Sequence, residues 1–230
     1  FYGGCCNPWP PSNLTWLFHA GSWVKVAPPV SPPGRYDAGV AYDSADRYVV
    51  MFGGWGVSGA LGDTWKFDSA GWHNLTTSAH PPARVLGAMA NDLPDGYVVL
   101  YGGQTGAVLP ILYNDTWTFK AGNWTPVRTT HTPSAFQAHE MQMDRADGYV
   151  LLFGGQNLTS KLPSNETWKF AAGVWTKVVP FGAPAPLPRF YAGLAFDPQA
   201  NAIVLFGGGD GGNIYNDTWE YSAGSWTFIV

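Results

Sequence analysis

The chain has 230 residues, only 12% of them charged, and a formal net charge of −4. It carries no basic excess to neutralise phosphates, which argues against a nucleic-acid partner. No apolar run approaches the ~20 residues of a membrane-spanning helix, so no membrane span is expected in this segment.

Taken from the N-terminus, Phe1-Tyr2-Gly3-Gly4 reads as the tail of an apolar strand. A loop rich in Pro and Asn follows, then two short strands, Thr15–His19 and Ser22–Val26. With no initiating Met and an opening inside a repeat, the chain is expected to be a processed or excised piece of a longer one. Prolines 28, 29, 32 and 33 lead into the next unit, where proline keeps the path extended and blocks ladder pairing.

Four complete units then share one plan. In the first, the expected strands are Gly39–Tyr42, Tyr48–Phe52, Thr64–Phe67 and Trp72–Leu75. The second has Ala88–Asn91, Tyr97–Tyr101, Thr116–Phe119 and Trp124–Val127, and the third Glu140–Met143, Tyr149–Phe153, Thr167–Phe170 and Trp175–Val178. The fourth has Gly193–Phe196, Ile203–Phe206, Thr218–Tyr221 and Trp226–Ile229. β-Branched and aromatic residues fill these runs, and Gly, Pro, Asn and Asp bound them. No segment keeps a helical period.

The repeat is regular. Glycine pairs fall at 3–4, 53–54, 102–103, 154–155 and 207–208, and each is followed by Thr-Trp at 15–16, 64–65, 116–117, 167–168 and 218–219. A second tryptophan closes each unit at 23, 72, 124, 175 and 226. A period of about 50 residues with four short strands per unit implies a propeller or array. The units span 1–30 (partial), 31–79, 80–130, 131–180 and 181–230 of a single domain. All ten repeat tryptophans are expected in the packing between strands, each burying on the order of 200 Å². Trp9 and Trp55 lie outside those slots and are the candidates for an exposed role.

An apolar run, Gly-Gly, a variable loop, Asn/Asp-x-Thr-Trp-x-Phe/Tyr and then Trp resembles the kelch repeat, over essentially the whole chain. The nearest likeness is to the secreted or surface-exposed kelch proteins of prokaryotes, archaea included. The resemblance implies an all-β kelch-type β-propeller: four full four-stranded blades plus one truncated blade lacking its inner strand. Activities on this fold differ widely, so the fold alone does not fix the function. The copper oxidases that share the repeat hold their metal with two His and two Tyr, one crosslinked to Cys. Here His19, His73, His80, His131 and His139 are scattered without ligand spacing. No catalytic constellation, metal site or cofactor is therefore expected, and the chain reads as a non-enzyme.

Seven Asn-x-Ser/Thr sequons, at Asn13, Asn74, Asn114, Asn123, Asn157, Asn165 and Asn216, point to an exported, N-glycosylated protein at the cell surface. Four of them occupy the Asn-x-Thr-Trp slot, where a turn residue would serve equally. The only cysteines are adjacent, Cys5 and Cys6. They can pair with each other, pair elsewhere, or stand as small hydrophobes in a loop.

Antiparallel order brings the loops after the glycine pairs to the same end as the connections between units. That end is the expected binding face. In kelch propellers resembling this one an Arg opens the first strand towards the channel, which makes Arg35, Arg84 and Arg189 candidates to bind carboxylates or anionic sugars. The alternative is a structural clamp on carbonyls and Asp groups between blades. The third unit carries Phe136 in place of the Arg and His139-Glu140 in place of a small pair, and Glu140 is expected to pair with an Arg across the channel. Trp55, Gln104, Gln156 and Asp210 complete the binding candidates. The expected function is a surface binding, adhesion or structural module for a protein or glycan ligand. The alternative is a self-assembling filament or surface-layer subunit, copies joining by strand addition at the incomplete blade.

Overall fold

In a computed structural model, residues 1–4, 10–106, 110–134, 136–157, 159–178 and 184–230 are described. The described residues hold strands and no helix. Four antiparallel four-stranded sheets follow one another along the chain as the blades of a β-propeller. The first blade contains Gly39–Asp43, Tyr48–Phe52, Thr64–Asp68 and Gly71–Asn74, ordered from inner to outer strand. The second contains Ala88–Asp92, Tyr97–Tyr101, Thr116–Lys120 and Asn123–Val127. The third contains Glu140–Asp144, Tyr149–Phe153, Thr167–Ala171 and Val174–Val178, and the fourth Gly193–Asp197, Ala202–Phe206, Thr218–Ser222 and Ser225–Phe228. The expected strands are all present, with ends shifted by a residue or so. The inner strands of successive blades lie side by side around the channel. Residues 15–26 form a two-stranded hairpin, Thr15–His19 against Ser22–Val26, and Tyr2 bridges to Thr15.

In the first three blades the second strand is apolar on both sides because both sides are covered. In the first blade, Val50 and Phe52 face Met89, Val98, Leu100, Phe119 and Trp124 of the second. The same strand turns Met51 the other way, onto Trp65, Trp72 and Tyr2. Period-2 alternation thus sends neighbouring residues of one strand into two different interblade cores.

The Thr-Trp pair and the closing Trp join blade to blade. The Trp124 indole donates to Thr64 Oγ1 (2.9 Å), Trp175 to Thr116 Oγ1 (2.9 Å) and Trp226 to Thr167 Oγ1 (3.0 Å). The hairpin is attached to the first blade by the same bond, from Trp72 to Thr15 Oγ1 (2.9 Å). Each closing Trp also meets, edge to face, the aromatic residue at the end of its neighbour's second strand: Phe52–Trp124, Tyr101–Trp175 and Phe153–Trp226, with centroids 5.0–5.2 Å apart. A buried indole N–H left unpaired would be costly, so the threonine is as much part of the core as the ring.

The glycine pairs let backbones of neighbouring units touch. Gly53 has φ +67°, and a Cβ there would lie 2.5 Å from the Arg84 carbonyl of the next blade. The following glycine donates its N–H to that carbonyl (Gly54 to Arg84 O, 2.9 Å). The packing expectation fails at Trp23, which is 58% exposed. Among the described residues no blade covers the outer side of its hairpin, and the slot buries a tryptophan where a neighbouring unit closes over it.

Candidate binding face at the channel mouth

The loops after the glycine pairs and the starts of the inner strands share one end of the propeller, because Gly39 pairs with Phe52 and Gly193 with Phe206. Just before each inner strand, one residue adopts a left-handed backbone: Asp37 (φ 55°), Leu86 (58°), Ala138 (52°) and Tyr191 (56°). Each such conformation costs on the order of 1 kcal/mol. It is offset by a hydrogen-bond relay around the axis. Leu86 N–H donates to Asp37 O (3.0 Å), Ala138 N–H to Leu86 O (3.2 Å) and Tyr191 N–H to Ala138 O (3.1 Å). Nothing in the side chains of Asp, Leu, Ala and Tyr signals a shared conformation, so the relay is not visible in the sequence.

These residues frame a cavity of about 270 Å³ at the channel mouth, together with Gly39, Ala88, His139 and Glu140. Its lining brings two carboxyls, Asp37 and Glu140, to the mouth. Burial pushes the Glu140 carboxyl up to about 7 and raises that of Asp37. The Tyr191 hydroxyl is raised by burial and by the Asp37 charge. His139 is buried against the Tyr101 ring, with centroids 5.6 Å apart, and neither ring nitrogen has a partner at hydrogen-bonding geometry. Burial pulls it down to about 4, the nearby Tyr101 backbone offsetting only part of the effect, so the ring is neutral.

The expected pairing of Glu140 with an arginine across the channel does not occur, because all three guanidiniums are committed elsewhere. Arg35, Arg84 and Arg189 are fully buried, each folded into its own blade rather than towards the channel. Arg84 donates to Gly102 O (3.0 Å) and Pro82 O (3.1 Å), and forks onto Asp115 (2.6 and 2.8 Å). Arg35 grips Gly53 O and Asp63 in the same way, and Arg189 grips Gly207 O and Asp217. The clamp is therefore within blades, not between them. It is the Arg backbone that reaches the neighbouring unit: Arg84 N–H donates to Leu61 O (3.1 Å), and Arg84 O accepts from Gly54 N–H (2.9 Å). Each Asp also accepts the indole N–H of the Trp two residues on: Trp65, Trp117 and Trp219. Burial alone would raise Asp63 and Asp115, but the hydrogen bonds and charge of the arginines and the indole bonds outweigh it and hold both carboxyls low. At Asp217 the Arg189 bond is itself the largest influence, in the same direction.

The remaining candidates are spread over the loop face. Trp55 pairs with Ala60 in a two-residue ladder, and its ring covers Gly106, where a Cβ would lie 2.0 Å from it. Gln104 donates to Gln137 (2.5 Å), which donates to Gln156 (3.2 Å), an amide chain tying the second blade to the third. Asp210 organises its own loop, accepting from Asn213, Gly212 and Tyr215, and the Asn213 bonds above all hold its carboxyl far below the ordinary range. Of the sequon asparagines, 13, 74, 114, 123, 165 and 216 are exposed. Asn157 is half-buried and accepts the N–H groups of Thr159 and Ser160. Cys5, Cys6 and Trp9 lie outside the described residues. Phe136 pairs by its backbone with Asn157. The sequence reading missed Asp63, Asp115 and Asp217, although each sits one residue before a Thr-Trp pair.

The mouth carboxylate gives a pH signature. A carboxyl whose folded pKa lies above its unfolded value favours folding when protonated, so stability falls as pH rises from about 4.5 to about 7. Glu140→Gln removes that loss. The variant is expected to be more stable than the parent at pH 8, on the order of 2 kcal/mol, and nearly equal to it at pH 4. His139 contributes the opposite slope below its ordinary range in both chains, so the difference between them isolates Glu140. Melting curves across pH read it, and a difference independent of pH would contradict it.

Among the described residues no cluster of three or more His, Cys, Asp and Glu could hold a metal ion. A scan of protein-family models finds no match to the chain, and a search of curated proteins finds no similar sequence.

Proposed function

We propose that the chain is a kelch-type propeller segment, exported and N-glycosylated, that binds a protein partner at its loop-bearing face without catalysing a reaction on it. One observation carries the reading: among the described residues, each of the four loops after a glycine pair exposes a large aliphatic residue, Val57, Ile111, Leu162 and Ile214. Ile214 is the extreme, at 94% exposure. Single exposed hydrophobics are ordinary, but one per blade at the same end, around an acidic mouth, makes a patch suited to an apolar protein surface. The arginine clamps of three blades and the Thr–Trp bonds between successive units hold the scaffold beneath it. The exposure of six of the seven sequon asparagines is consistent with glycosylation in an oxidising, extracellular setting.

Panning a phage-displayed random peptide library against the folded chain tests the reading, with Val57→Ser/Ile111→Ser/Leu162→Ser/Ile214→Ser as the control. The expectation is peptides rich in aliphatic residues that bind the parent at least roughly tenfold more tightly than the control. Peptides binding both chains equally would overturn the patch. Hits on a glycan array that survive the four substitutions would instead make the ligand a carbohydrate.

A further inference from the structure

The mouth cavity has apolar walls and, among the described residues, a mostly buried carboxyl without a partner. Leu86, Met89 and Met141 line it, together with Glu140 at the start of the third inner strand. The other blades place Gly39, Ala88 and Gly193 at that register, opposite Phe52, Tyr101 and Phe206 as Glu140 lies opposite Phe153. No hydrogen bond or neighbouring charge offsets the burial of Glu140, and the lining holds no Lys or Arg. His139 lines the cavity too, 3% exposed and with both ring nitrogens unpartnered. Buried polar groups are as a rule paired, so a carboxyl and an imidazole adjacent in the chain and both left open at one cavity point to a ligand that brings donors. These residues sit on the second and third blades, whose inner strands each lie between two others of the chain.

We propose that this cavity receives the ammonium of a lysine side chain presented by the protein partner of the loop face, its methylene stem along Leu86, Met89 and Met141 and its head at Glu140 and His139. The source of the lysine rests on the loop-face reading; the alkylammonium subsite does not. At about 270 Å³ the cavity lies just under the ~300–1,000 Å³ of small-molecule pockets and suits one extended side chain. Lysine has the matching form, an apolar stem that buries well and a compact charge with three donors at its end. The carboxylate takes the charge, and the neutral imidazole accepts a further N–H. A cation bound there also favours the ionised carboxylate, against the pull of burial.

n-Butylammonium is that side chain without its backbone. Methyl NMR of the four methionines reads its arrival at Met89 and Met141, with Met51 and Met143 as internal references. At pH 8 saturable shifts of Met89 and Met141 are expected, with a Kd at least roughly tenfold weaker in Glu140→Gln, a variant expected to fold more stably there. Lowering the pH from 8 to 5 should weaken binding to the parent by at least roughly tenfold, because the carboxyl takes up its proton near 7. His139 and Tyr191 stay largely neutral over that interval, and any pH dependence left in Glu140→Gln belongs to Asp37. No saturable shift, equal affinity in Glu140→Gln, or equal affinity for neutral N-butylacetamide would each overturn the subsite. Peptides selected on the loop face test the source of the lysine. Acetylating their lysines removes the charge, and should weaken binding to the parent at least roughly tenfold and leave binding to Glu140→Gln unchanged. Acetylation without effect on the parent would overturn the partner lysine. The chain with the four loop substitutions to Ser should bind n-butylammonium as the parent does while losing the peptides, which separates failure of the subsite from failure of the patch.

Discussion

Arg84→Met is expected to destabilise the chain by about 3–5 kcal/mol, the cost of breaking a buried ion pair from one side. The guanidinium fills five roles at once. It bonds Pro82 O, Gly102 O and both oxygens of Asp115, and it lies over the Tyr113 ring at 4.2 Å. Its removal strands a half-buried carboxylate whose remaining side-chain partner is the Trp117 indole. It also leaves the Gly102 carbonyl, at the junction of second strand and loop, without its donor. The paired change Arg84→Met/Asp115→Leu removes both charges and should recover most of the loss, because the desolvation of the pair disappears with it. The effect has a defined pH dependence. Asp115 titrates below the ordinary carboxylate range when folded, so the clamp is complete above that range and is lost as pH falls through the depressed value. The gap between parent and Arg84→Met should therefore narrow in acid. Urea unfolding at neutral and acid pH measures it, and a double variant no better than the single would count against the clamp.

The third blade is a natural version of that experiment, legible in the sequence once the clamp is known. Phe136 stands where the other blades have Arg, and the residue before Thr-Trp changes in step from Asp to Glu166. Glu166 keeps the indole bond to Trp168 (2.9 Å) and takes Lys177 as its cation instead. The substitution pair was visible, but its meaning was not, because the partners are 28 to 31 residues apart across loops of unequal length. The strands and glycine pairs were easier, since local composition and a fixed order mark them. Positive φ at the inner hairpins was only partly readable. Gly96 and Gly148 announce it, but Arg47 and Asn201 adopt it without a glycine. The binding candidates fared unevenly for a related reason: whether an Arg, Gln or Asp is free depends on loop partners that the repeat does not encode.

A loss of similar size is expected from one uncharged side chain, Trp175. It is 2% exposed, sits between the second and third blades and touches Tyr101 and Phe170 while its indole bonds Thr116. Trp175→Ala should cost about 3–5 kcal/mol through the cavity alone, and the unpaired threonine adds to it. Trp23 fills the same repeat slot with no blade over it. The account holds that a tryptophan in this slot is a joint between blades, not a stabiliser of its own hairpin. Urea unfolding of Trp175→Ala and Trp23→Ala, side by side at a concentration where the chain is monomeric, tests that claim most directly. It predicts a loss of several kcal/mol for Trp175→Ala and under about 1 kcal/mol for Trp23→Ala, as for other exposed positions. Equal losses at the two positions would contradict it.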